Sequence, residues 1–273
     1  MRAPLVVSAF FLLVAASEVD AQTHPLLTEE ATTAPAGTLT LETGFDQMAS
    51  EPNFLTGAER SVYAGPLVRL GYSPADNVEL DLEWVSFVGS VNDPDFGDAS
   101  DRGDVTLRAK VRFLDGGARR PTLGARFWVS LPETSSDEGL GPNALRQATE
   151  MLLSQRLGRA TLLANAGLLI ADEVLRAHHQ RDFLSFGVAL TNPVGAHGEV
   201  VGEVAGRLGK GQPGAEERAE ARAGFRWAHG RVRYDAALRR GLAPADGTWG
   251  FTVGLRWTLR DGARRTLTAQ PAP

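Results

Sequence analysis

The strongest constraint in this chain is a period of two. Across 104–115, Val105, Leu107, Ala109, Val111 and Phe113 alternate with Asp104, Thr106, Arg108, Lys110 and Arg112. Successive side chains of an extended strand point to opposite faces, so this stretch has one apolar and one charged face. Val78, Leu80, Leu82 and Trp84 alternate in the same way with Glu79, Asp81 and Glu83. Ala219, Ala221, Ala223, Phe225 and Trp227 alternate with Arg218, Glu220, Arg222 and Arg226. Twelve such segments run along the chain, at 37–46, 61–72, 78–88, 104–115, 121–132, 146–157, 160–171, 181–191, 198–208, 218–228, 231–240 and 249–259. Their lengths approach the roughly 9–11 residues of a tilted transmembrane strand.

The connections alternate as well. Those at 73–77, 115–120, 158–159, 192–197 and 229–230 are short, whereas 47–60, 89–103, 133–145, 172–180, 209–217 and 241–248 are longer. An even strand count with turns at one end and loops at the other is the layout of an outer-membrane barrel. No Asp, Glu, Lys or Arg interrupts the interior of any apolar side. An Arg or Lys facing lipid at the midplane costs about 2–4 kcal/mol, which accounts for that exclusion. A soluble sandwich or lipocalin-like barrel also has an apolar face, but it needs fewer strands. Small residues on the apolar side, such as Ala64, Ala109, Ala164, Gly202 and Ala219, suit lipid better than a packed core. The expected fold is all-β: a transmembrane antiparallel up-and-down β-barrel of about 12 strands over 37–259.

This pattern explains a composition that otherwise looks soluble. Charged residues make up 22% and mean hydropathy is −0.15, because alternate residues cancel. A net charge of −5 argues against a basic nucleic-acid-binding protein. The absence of cysteine excludes disulfides, thiolate metal sites, thiol nucleophiles and a lipidated N-terminus. Residues 1–21 read as a cleavable signal peptide: Arg2, an apolar run over 5–16, and Val19-Asp20-Ala21 before Gln22. Residues 22–36 lack periodicity and read as a flexible periplasmic lead-in, with plugging of the lumen as a second fate. Residues 260–273 read as a C-terminal periplasmic tail, which puts the long loops outside the cell. Export to the bacterial outer membrane follows from these readings together.

The face opposite the lipid supplies the candidate pore-lining residues: Glu79, Asp81, Glu83, Arg108, Lys110, Arg112, Glu199, Glu203, Arg222, Arg226, Arg233, Asp235 and Arg256. Acids on one strand face bases on the next, so cross-strand ion pairs are expected. The last three strands carry mostly arginines, an excess of positive charge that attracts anions. In the loops, the acidic run 92–101 offers oxygen ligands for calcium but lacks the EF-hand spacing, so a solvated loop is expected. His178 and His179 point to opposite sides of an extended chain, which argues against joint metal ligation. His229-Gly230 reads as a hairpin turn. No catalytic residue, metal or cofactor is expected. The expected partners are outer-membrane lipids, the barrel-insertion machinery and a small-molecule solute, with no nucleic acid.

The order of several short motifs adds to this. Gly103-Asp104 opens a strand reaching Lys110, and Leu131-Pro132 precedes a loop with Gly139 and Gly141. Asn165-Ala166-Gly167, the stretch from Glu199 to Glu203, Asp235 and Val253-Gly254-Leu255-Arg256-Trp257 follow. In these features the chain resembles the outer-membrane transporter or channel-like family named after the meta-pathway of phenol degradation. It departs from that family's Pro-Thr-Gly in having Pro132-Glu133-Thr134, and in extending past the last strand. The resemblance implies a channel for passive passage of small molecules, often aromatic or apolar, and the arginine excess adds anionic solutes to the expectation. Two rivals differ in class. One is a closed structural or adhesive barrel without a pore. The other is an outer-membrane lipid hydrolase, which needs a histidine beside a hydroxyl nucleophile, whereas all five histidines fall in the lead-in, loops or turns.

Overall fold

A computed structural model of the chain describes residues 24–117, 119–175 and 179–262. The signal peptide at 1–21, His178 and the tail from 263 onward lie outside the described residues.

Fourteen strands form one antiparallel sheet: β1 Leu39–Pro52, β2 Glu59–Ala75, β3 Val78–Val85, β4 Val88–Val91, β5 Ala99–Asp101, β6 Val105–Leu114, β7 Thr122–Leu131, β8 Arg146–Leu157, β9 Ala160–Asp172, β10 Gln180–Val194, β11 Gly198–Leu208, β12 Arg218–His229, β13 Val232–Gly241 and β14 Trp249–Arg260. Each long strand pairs with its sequence neighbour, and β1 pairs with both β2 and β14. The sheet therefore closes on itself and leaves no long edge. β3 and β4 both pair with β2 and form one stave interrupted at Ser86-Phe87. β5 pairs with β4 and continues through Arg102-Gly103 into β6. Counted by staves, the barrel has twelve.

Two regions differ from the sequence expectation, each for a local reason. β1 runs six residues beyond its expected end, to Pro52, and β2 spans Glu59–Ala75 where 61–72 was expected. Register shifts between Gly44 and Asp46 and between Met48 and Glu51 change which residues face inward, which hides the alternation from a period-two reading. The stretch 89–103, expected as a loop, contributes the β4–β5 hairpin, because four residues of Val-Gly-Ser-Val are too few to display a period.

Burial is inverted relative to a soluble domain. On the outer wall Val188 is 53% exposed and Leu238 is 64% exposed, and Leu82, Phe127, Met151, Val204 and Phe251 are similarly bare. On the inner wall Lys110 is 1% exposed and Arg226 is 2% exposed. Apolar surface on this scale is tolerated only against lipid, and inward charges need partners to be tolerated at all. At the rims the apolar band meets polar groups: Trp84, Trp227, Trp249, Trp257 and Tyr234 are exposed. There the guanidinium of Arg240 stacks over Trp249 at 4.8 Å, holding its charge at the interface.

Candidate functional site: a charged lumen and its internal plug

The inner wall is organised by register. Glu79 lies opposite Lys110 and Glu199 opposite Arg226, as neighbours on adjacent strands. The pairs close at 2.6 Å between Lys110 Nζ and Glu79, and at 2.9 Å between Arg226 and Glu199. Glu83 accepts two hydrogen bonds from Arg108, at 2.6 and 2.9 Å, and also pairs with Arg69. Arg222 donates to Glu220 at 2.7 Å and lies 3.7 Å from Glu203. Asp81 is half-buried beside Gly71. These pairs stitch neighbouring staves together, which leaves few of the charges free to act on a solute.

The segment 24–36 is where the structure departs most from a flexible periplasmic lead-in. It turns back from the start of β1 and runs up inside the barrel. His24, Leu26, Thr28, Glu29 and Ala31 are all buried. Its main chain is held almost entirely by wall side chains. Arg222 donates to the Pro25 carbonyl at 2.6 Å. The Glu203 carboxylate accepts from the N–H groups of Leu27 and Thr28, both at 2.8 Å. Asn165, with its amide turned to satisfy both partners, accepts from Glu29 N–H at 2.8 Å and donates to the Glu29 carbonyl at 2.9 Å. Ser154 accepts from Ala31 N–H at 2.8 Å and Glu79 from Ala34 N–H at 2.6 Å. Near the turn end, Arg112 donates to the Thr33 hydroxyl at 2.9 Å and to the Asp76 carbonyl at 2.7 Å. An irregular buried segment has no ladder for its backbone groups, so these side chains must satisfy them.

Side chains of the segment fit as well. Glu29 sits between Lys110, at 3.1 Å, and Arg126, at 2.5 Å. Leu26 packs on Leu163, Ala189 and Val201. At its upper end, His24 Nδ1 bonds Asp235, and His24 Nε2 lies 2.7 Å from the Thr252 hydroxyl. Arg233 donates to the His24 carbonyl at 3.4 Å. The wall recedes at these points because it carries glycine. A Cβ on Gly254 would stand 2.4 Å from His24 Nδ1, and one on Gly187 2.5 Å from the Thr28 hydroxyl.

The space left beside the segment is small. A cavity of about 20 Å³ lies between the segment and β1–β3, lined by Glu29, Thr40, Glu42, Arg69, Asp81 and Arg256 among others. That is room for about one water molecule. At the loop end a larger cavity of about 690 Å³ opens between the loop 132–145 and residues 172–174, 179 and 180. Two further loops are clamped onto the first of these: Asn53 and Arg60 both reach Asp93, at 2.9 and 3.3 Å, and the Glu138 carbonyl, at 3.2 and 2.9 Å.

Sequence reasoning located the charges but missed the apolar half of the inner wall. Trp128, Ala148, Leu169, Ala171 and Phe183 form one cluster with Ala215, which the loop 209–217 lowers onto it. Leu163, Ala189 and Val201 continue the surface to Leu26. A signal existed: in β9 and β10 both faces are largely apolar, so the alternation vanishes where it is strong elsewhere. The arginines of β12 and β13 stand on other staves. Among the described residues, Nε and Nη2 of Arg226 and Nε of Arg233 have no hydrogen-bond partner. Among the described histidines, His24 is the one that sequence position misjudged, since closure of the barrel brings it beside both a carboxylate and a hydroxyl. The acidic loop 92–101 uses Asp93 to accept from the N–H groups of Asp95 and Phe96, at 2.9 and 3.1 Å. His179 lines the larger cavity, while His197 and His229 face each other at the turn end.

Fold and site together define a class: a membrane-spanning antiparallel barrel of twelve staves with a charged lumen occupied by its own N-terminal segment. No protein-family model matches the chain, and no curated protein matches it. Among solved structures, the COG4313 outer membrane channel from Pseudomonas putida F1 aligns with a TM-score of 0.60 at 18% identity, over 83% of this chain and 96% of that one. The beta domain of the Bordetella autotransporter Brka aligns with a TM-score of 0.51 at 14% identity, over 82% of this chain and 100% of that one. These likenesses establish the fold of outer-membrane barrels.

Proposed function

We propose that this protein is an outer-membrane channel for small molecules, closed at rest by residues 24–36 and opened when that segment withdraws. The observation that carries this reading is the segment itself. Removed from the lumen, it would leave a continuous passage lined on one side by Trp128, Phe183, Leu169, Leu163 and Val201. Arginines 222, 226 and 233 line another side, two of them with unpartnered N–H groups. Such a wall suits small solutes with an apolar body and an anionic or polar end, consistent with the aromatic or apolar solutes expected from the phenol-degradation resemblance and the anions expected from the lumen arginines. It is not an enzyme on this reading: the Asp235–His24–Thr252 contact is buried in the lumen, joins the segment's own His24 to the wall, and serves as its latch. The likeness to a channel of known structure supports the same reading, and outer-membrane residence follows from the exposed apolar band.

Planar-bilayer recording tests it. Wild-type protein is expected to conduct rarely, and full-length Leu26→Asp, which puts a charge into the Leu163–Ala189–Val201 seat, is expected to open several-fold more often. The open state should favour anions over cations, and replacing Arg222, Arg226 and Arg233 together should abolish that preference. Equal, negligible conductance of wild type and Leu26→Asp would favour the closed structural barrel instead.

A further inference from the structure

The way the segment is held says more than that the lumen is blocked. Wall side chains contact its main chain at seven consecutive residues but one: the carbonyls of His24, Pro25, Glu29 and Glu30, and the N–H groups of Leu27, Thr28 and Glu29. Asn165 bonds both the N–H and the carbonyl of a single residue, the pairing with which a side-chain amide grips a peptide unit whatever side chain it bears. Glu203 takes two successive N–H groups in one carboxylate. Apart from the His24 latch and the Thr33 hydroxyl at the two ends, two side chains of the segment are held by the wall. Leu26 enters an apolar seat, and Glu29, three residues later, lies between Lys110 and Arg126. Gly187 and Gly254 clear the path at the points of closest approach.

We infer that the inner wall is a receptor for extended peptides, reading backbone amides through Asn165, Glu203 and Arg222, and preferring an aliphatic residue followed three positions later by an acidic one. The N-terminal segment occupies this receptor in cis. When it withdraws, the same groups face the opened lumen, hydrated but still held in place by the wall, and a free peptide of matching pattern re-forms their bonds. This inference rests on the reading that the segment can be displaced, and it adds a ligand class to that reading: short acidic peptides, bound within the lumen.

The test uses full-length protein in detergent micelles and a fluorescent peptide with the sequence of residues 24–36. Heat-modifiable migration on a gel first checks that each variant is folded. In wild type the cis segment competes, so the peptide is expected to bind Leu26→Asp at least tenfold more tightly than wild type. A peptide N-methylated at the positions of Thr28 and Glu29 should lose at least tenfold, whereas changing the side chain of Thr32 should alter binding less than threefold. Adding Asn165→Leu to Leu26→Asp should erase most of the penalty for methylating the Glu29 nitrogen. Equal binding of the methylated and unmethylated peptides overturns the inference, because apolar adhesion would then explain the affinity; so does binding no tighter to Leu26→Asp than to wild type. The two proposals separate in the recordings. Raised conductance of Leu26→Asp without peptide binding removes the receptor and leaves the channel. Peptide binding without raised conductance removes the channel and leaves the receptor.

Discussion

At the scale of single residues, the two faces of each strand obey opposite rules. Val188 stands near the middle of β10 on the lipid side and is 53% exposed. Val188→Arg is expected to lower stability by about 2–4 kcal/mol, read from denaturant unfolding in lipid vesicles, while Val188→Leu leaves it nearly unchanged. On the inner side the rule is partnership. Lys110 is held by Glu79 and Glu29, and truncating it leaves two carboxylates facing each other in a water-poor site. In the loops, Asp93 shows how one carboxylate organises a rim. Burial acts to raise its pKa, but the Asn53 amide, the N–H groups of Asp95 and Phe96 and the Arg60 guanidinium outweigh it and hold the pKa below the ordinary aspartate value. A depressed carboxylate stabilises the folded loop fully above the ordinary aspartate range, and that contribution is lost as pH falls through the lowered value. Amide exchange at Asp95 and Phe96, corrected for intrinsic rate, should therefore stay slow at neutral pH and quicken in acid. Asp93→Asn should show much less of this dependence.

At the scale of elements, the staves, the loop clamp and the internal segment have separable roles. Twelve hydrogen-bonded staves carry the fold, so changes within the segment should alter gating before stability. His24→Ala removes the bonds to Asp235 and Thr252 and leaves the barrel ladder untouched. It is expected to lengthen open events in single-channel records with little change in the temperature at which gel migration shifts. Arg60→Ala acts at the other end. It frees the ties to Asp93 and to the carbonyls of Glu138 and Gly139, so the loops 92–98 and 133–144 should become more readily cut by protease. How much of this was legible follows from the range of the interactions. Glu79, Glu83, Arg108 and Lys110 were placed on facing strands by chain order across the long loop 89–103 and by alternation. The extension of β1 and β2 was not legible, because register shifts break the period that reveals a strand. The apolar inner wall of β9 and β10 was obscured because a strand apolar on both faces presents no alternation to read.

At the scale of the whole molecule, the protein is inverted, with apolar surface outside and ion pairs within. Closure by pairing of β1 with β14 makes this state cooperative: breaking one stave exposes ladder groups to lipid, which no water can satisfy. The intact protein is therefore expected to keep its compact, faster gel migration in detergent until heated. Disrupting the β1–β14 seam with Thr43→Pro should abolish that behaviour, whereas Leu26→Asp should retain it.

Sequence by itself determined the class of fold, because lipid on one side and charge on the other impose a period of two that most staves display locally. It also determined the count of staves and which ends carry turns, since those depend only on the spacing of neighbours along the chain. Tertiary structure alone decided what fills the lumen. His24 meets Asp235 across 211 positions of sequence, and Glu203, Asn165, Ser154 and Glu79 converge on one segment from four different staves. That convergence exists only once the sheet has closed. A short aperiodic segment of Pro, Thr, Glu and Ala has no pattern of its own, and its conformation is dictated by the wall that satisfies its backbone.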